Sequence, residues 1–101
     1  MKFSLAGDDW RIIEKLVVEP LKRDLDSKIW VFGSRARGDS REFSDLDILY
    51  EPKKEIPKGY ISKLRDSLEE SRLSVKVDLV QISELADSYR EQVFKERIPL
   101  N

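Results

Sequence analysis

Apolar residues along this 101-residue chain change their period repeatedly, and that alternation confines the fold more than any other feature. Trp10, Ile13, Leu16, Val17, Leu21 and Leu25 recur at intervals of three and four, the spacing that gathers side chains on one face of a helix. Gly7 and Asp8 stand where such a helix is capped. Pro20 is expected to kink it or divide it in two, because its ring has no N–H to donate and crowds the preceding turn. Lys28 to Phe32 is a β-branched and aromatic run ending at Gly33, which predicts a short buried strand. Leu46 to Tyr50 predicts a second strand that Pro52 prevents from continuing far. Ile61, Leu64 and Leu68, between Pro57 and Ser71, predict another amphipathic helix. Leu73, Val75, Val77 and Leu79 alternate with Ser74, Lys76, Asp78 and Val80, the period of a strand with one face on the core. A last helix capped by Ser83 carries Leu85, Tyr89, Val93 and Phe94 to about Arg97. Strands interleaved with helices predict an α/β fold, a small sheet with helices packed on one face.

The chain reads as a single domain over residues 1–101, with no repeat and no Gly/Ser/Pro-rich linker to divide it. Nineteen Lys and Arg face twenty Asp and Glu, so there is no basic excess of the kind that coats nucleic acid, and no direct nucleic-acid binding is expected. The chain contains no Cys and no His. Disulfides, Cys/His zinc sites, thiolate nucleophiles and Ser-His-Asp triads are excluded by the absence of their parts, and catalysis must run on carboxylates. No run approaches the length of apolar residues that spans a bilayer, and Met1 to Gly7 lacks an apolar signal block, so no membrane association and a cytoplasmic location are expected.

The chemistry concentrates in WVFGSRARGDSREFSDLDILY, Trp30 to Tyr50. Asp45 and Asp47 lie two apart at the start of a predicted strand, so both project from one face while Leu46 and Ile48 point into the core. Two such carboxylates repel, and a cation removes the penalty. With oxygen donors only, the ion is hard, Mg²⁺ or Mn²⁺, which fills its remaining positions with water and substrate phosphates. Gly33-Ser34 follows the first strand and opens a short helical stretch, where glycine permits close backbone approach and the serine hydroxyl can meet the same phosphate. Asp78, on the alternating strand, joins the pair if that strand lies beside Leu46 to Tyr50. There it could share a metal ion or accept a proton from an attacking hydroxyl.

A Gly-Ser pair, a ten-residue spacer (Arg35 to Ser44), Asp45-Leu46-Asp47 on a strand and a later Asp78 together resemble the minimal nucleotidyltransferases of the DNA polymerase β superfamily. The resemblance implies that family's fold, with a mixed sheet of three to four strands. The stretch GSRARG followed by SDLDI further resembles the nucleotidyltransferase partner of prokaryotic HEPN/MNT toxin–antitoxin modules. That likeness implies transfer of AMP from ATP to a tyrosine hydroxyl of a HEPN ribonuclease toxin, with the chain acting as antitoxin in a hetero-oligomer. Gly33 and Ser34 would take the triphosphate. Asp45 and Asp47 would take two Mg²⁺ ions, and Asp78 would complete the metal site and assist deprotonation. Two alternatives stay open: nucleotide transfer to a small molecule, and neutralisation by complex formation without catalysis. Other conspicuous residues have plainer readings. Arg35 and Arg37 either steer phosphates or form ion pairs such as Arg37 with Asp39 or Asp45. Trp10, Trp30, Tyr89, Val93 and Phe94 read as core.

Overall fold

The computed structural model describes residues 2–41 and 43–100. After a 3-10 turn at Lys2–Ser4, α1 (Gly7–Ile13), a π-helical turn (Glu14–Val18) and α2 (Glu19–Leu25) form one helical run. Pro20 is accommodated by widening the helix. The Glu19 N–H reaches back five residues to the Glu14 carbonyl, which relieves the crowding a proline imposes on the turn before it. The helix thus divides at the proline without breaking. Ala6, rather than Gly7 or Asp8, occupies the cap of α1, with no side-chain cap bond.

β1 (Lys28–Phe32) leads through α3 (Ser34–Arg37) to β2 (Leu46–Glu51), and α4 (Tyr60–Glu69) carries the chain to β3 (Val77–Gln81). A 3-10 turn (Ile82–Glu84), α5 (Asp87–Glu96) and the two-residue β4 (Ile98–Pro99) complete it. The sheet has the order β3-β2-β1-β4, with β2 and β3 parallel and the other pairs antiparallel. The parallel pair needs a crossover, which α4 supplies. The result is the expected α/β mixed sheet of the nucleotidyltransferase fold.

Ile29 and Val31 of β1, Leu46, Ile48 and Tyr50 of β2 and Leu79 of β3 share one cluster with Ile13, Val17, Leu21, Leu25, Leu64 and Leu68. Each such side chain taken out of water favours the fold by roughly 1.5–3 kcal/mol. The Tyr60 hydroxyl ties α4 to α2, lying 2.9 Å from the Pro20 carbonyl oxygen and 2.7 Å from Asp24 Oδ2. α5 borders the opposite face of the sheet, so, contrary to expectation, the helices do not all pack on one face; there the Arg97 guanidinium stacks 4.3 Å from the Trp30 ring centre and 4.2 Å from that of Phe94.

Three expectations are corrected here. The strand begins at Val77 rather than Leu73, because the chain bends at Ser74 and Val75. Ser74 there donates 2.6 Å to the buried carboxylate of Asp9 on α1. Val75 is still buried, so the alternation reflects packing of a bent segment and not a ladder. Ser83 lies within the 3-10 turn, closed by a Gln81/Glu84 capping box, and α5 starts only at Asp87. Of the three α5 residues read as core, Val93 is buried, whereas Tyr89 is 66% and Phe94 38% exposed.

Candidate active site

β1 ends at Phe32, whose register partner on β2 is Asp47, and the chain turns at Gly33 directly beside that carboxylate. Gly33 sits at φ 76°, ψ −157°, a region that side chains with a Cβ rarely enter. A Cβ built there would also collide with Asp47 Oδ2. Glycine is therefore required twice over, by the backbone angle and by the closeness of strand and turn. Ser34 opens α3, and the Ala36 and Arg37 amides bond back to the Gly33 carbonyl at 3.1 Å each.

On the other side of β2, the parallel register sets Asp47 opposite Asp78. Residues paired in register point to the same face, so the expectation that Asp78 joins the aspartates holds at Asp47. Gly33, Ser34, Asp47 and Asp78 all line one cavity of about 760 Å³, walled on its far side by Leu85, Tyr89 and Val93. Asp45, exposed and one residue before β2, does not line it, although its charge acts on Asp47. Among the described residues, no three carboxylates already stand close enough together to hold a metal ion.

Among the described residues, no Lys or Arg lies at ion-pair distance from Asp45, Asp47 or Asp78. Burial first, then the charges of Asp78 and Asp45, push the Asp47 carboxyl from 3.8 up to about 6, with Arg37 partly opposing them. Carboxylates held this near one another favour a cation between them. The donor set is all oxygen, open to solvent on one side, and fits Mg²⁺ with a polyphosphate filling the remaining positions.

Arg35 and Arg37 separate cleanly. Arg35 is buried and structural: its Nε and Nη2 donate to the Ser44 carbonyl at 3.0 and 2.9 Å and its Nη1 to the Phe3 carbonyl at 3.0 Å. It thereby fixes the loop that delivers Asp45. Arg37 lines the cavity and pairs with Asp39 at 3.1 Å, as one of its expected readings had it, and also with Glu96 at 3.1 Å. Glu96 and Glu84 line the cavity too, and neither was identified from sequence. Glu96 reaches Gly33 across 63 positions of chain, a separation that leaves no local pattern to read.

The family model described as "Polymerase beta, Nucleotidyltransferase" matches residues 21–101. The Haemophilus influenzae protein named "Probable protein adenylyltransferase MntA" is 29% identical over 94 residues, covering 91% of this chain and 82% of that one. A solved structure described as a minimal nucleotidyltransferase is 35% identical and superposes with a TM-score of 0.70, covering 96% of this chain and 98% of the other. A toxin–antitoxin crystal structure with AMP-PNP is 27% identical, with a TM-score of 0.65 over 87% of this chain and 72% of that one. No helix among the described residues is long and apolar enough to cross a membrane. Gly-Ser turn, in-register aspartates and sequence likeness agree: this chain belongs to the polymerase β nucleotidyltransferase family, as a minimal nucleotidyltransferase homologous to MntA.

Proposed function

We propose that this nucleotidyltransferase moves AMP from Mg-ATP to a tyrosine hydroxyl of a HEPN ribonuclease toxin and so acts as its cytoplasmic antitoxin, with residues 1–101 as one catalytic domain. The observation that carries this reading is the register of Asp47 with Asp78 beside a glycine that can bear no Cβ. Support for a protein acceptor comes from the relative named as a protein adenylyltransferase, and support for a toxin partner from the toxin–antitoxin relative solved with AMP-PNP.

Asp45, Asp47 and Asp78 would hold Mg²⁺, with two ions expected for a transfer of this type. Bound there, the metal supplies positive charge to the entering and departing oxygens of an in-line displacement at the α-phosphorus. The protein's own work is mostly placement. The Gly33-Ser34 turn holds the pyrophosphate end with the serine hydroxyl and closely approaching backbone. Arg37, its charge shared between Asp39 and Glu96, offers donors at the cavity wall without adding a large net charge. Asp78 sits exposed on the edge strand β3, where an incoming hydroxyl can reach it and yield its proton.

Incubating the chain with its partner, Mg²⁺ and ATP, and weighing the partner by mass spectrometry, tests this. Added AMP units are expected with the wild type. Asp47→Asn is expected to lower transfer by at least about 10³-fold while keeping the fold. Full transfer by Asp47→Asn would remove the metal assignment. Label appearing on a small molecule with no partner present would replace the protein acceptor. Neutralisation that survives in Asp47→Asn, with no AMP on the toxin, would favour inhibition by complex formation.

A further inference from the structure

Glu96, in the last turn of α5, is the side chain that ties the far end of the chain to the Gly-Ser turn. Its Oε1 accepts from the Gly33 N–H at 3.1 Å and from Arg37 Nη1 at 3.2 Å. Its Oε2 accepts from Arg37 Nη1 at 3.1 Å and from Gln92 Nε2 at 3.2 Å. The side chain is only 9% exposed. Burial alone would raise its pKa, but the bonds from Gln92, Arg37 and the Gly33 amide outweigh that and hold it below the usual carboxylate range. Every group hydrogen-bonded to it, the Gly33 N–H, Arg37 and Gln92, donates to its oxygens.

The turn it grips needs outside support. α3 is four residues long, too short to fix its own first turn, and Gly33 has the widest conformational freedom of any residue type. We propose that Glu96 is a positioning residue: it pins the Gly33 peptide and aims Arg37 at the cavity, so that the turn is set for a triphosphate before the nucleotide arrives. This rests on the nucleotide reading above. Without Glu96, the Gly33 N–H loses its partner and Arg37 is left to the Asp39 carboxylate, whose side chain is 62% exposed. Because α5 also lines the cavity through Tyr89 and Val93, the same contact sets the position of the wall relative to the turn.

Calorimetric titration of Mg²⁺ with AMP-PNP into wild type, Glu96→Ala and Glu96→Gln tests the assignment, with thermal melts of each alongside. Glu96→Ala is expected to bind about tenfold more weakly or worse, the scale of one lost charge-assisted hydrogen bond. Glu96→Gln keeps an acceptor for the Gly33 N–H and is expected to recover most of the loss at a similar melting temperature, a rescue that bulk destabilisation would not produce. Should Glu96→Ala fail to fold, Glu96→Asp, which withdraws the carboxylate by one methylene, is expected to show the weaker binding in a folded protein. Wild-type affinity in Glu96→Ala, or in Glu96→Asp where it replaces it, overturns the positioning role and leaves the nucleotide site standing. No binding by the wild type overturns the nucleotide reading and this inference with it.

Discussion

Asp47 and Ile48 are neighbours on one strand, and they live in opposite worlds. Ile48 is fully buried under the helices, in a cluster that includes Val31, Leu46, Val17 and Leu21. Asp47 points to the other face, half-buried in a cavity with Asp78 and Glu96 and, among the described residues, with no cation at ion-pair distance. The alternation of a strand is what makes this possible: a rotation of half a turn per residue lets one face carry stability and the next carry chemistry. The helical face gains free energy by excluding water. The cavity face gives some of it up by holding like charges close together, which a metal ion and a polyphosphate would relieve.

Adjacent substitutions should therefore act with opposite sign. Ile48→Ala removes side-chain volume from a closed core and is expected to cost about 2–5 kcal/mol, read as a drop in denaturant midpoint and melting temperature. Asp47→Asn is expected to do the reverse in the metal-free protein. With a folded pKa of about 6 against 3.8, Asp47 binds its proton more tightly in the fold than in the unfolded chain. The stability that proton provides is complete below about pH 4 and is lost as the pH rises through about 6. Urea midpoints of the metal-free wild type should accordingly fall across that window, by an amount on the order of 1 kcal/mol, since a half-exposed carboxylate is screened. Asp47→Asn should flatten that fall and be the more stable protein at neutral pH. An unchanged slope in Asp47→Asn would mean that the carboxylate is not under the strain its surroundings indicate.

The same contrast explains what could be read from the residues in order. Gly33-Ser34 and Asp47 are legible because their chemistry is local: a turn that needs glycine and a strand that sends alternate side chains to opposite faces. Asp45, expected on the same strand face, instead lies one residue before β2 and outside the cavity. Asp78 was legible through the expected pairing of its strand with Leu46 to Tyr50, and the parallel register sets it opposite Asp47. Glu96 and Glu84 were not: a glutamate near the end of a helix looks like any solvated residue until tertiary packing brings it to the turn, and Glu84 sits in a 3-10 turn where its local role is to cap Gln81. The segment from Leu73 to Lys76 misled for a related reason: alternating burial arises wherever a chain lies against a core, and Ser74 spends its hydroxyl on Asp9 instead of extending the ladder. β4 is two residues long and carries a proline, too short for any periodicity to register.

A crystal structure of the chain with Mg²⁺ and AMP-PNP bears most directly on the site as a whole. The account predicts metal density against Asp47 and Asp78, with Asp45 drawn in beside them, and the polyphosphate on Ser34 at the Gly33 turn. Nucleotide bound away from this cavity, or a polyphosphate at the turn with no metal on Asp47, would contradict it.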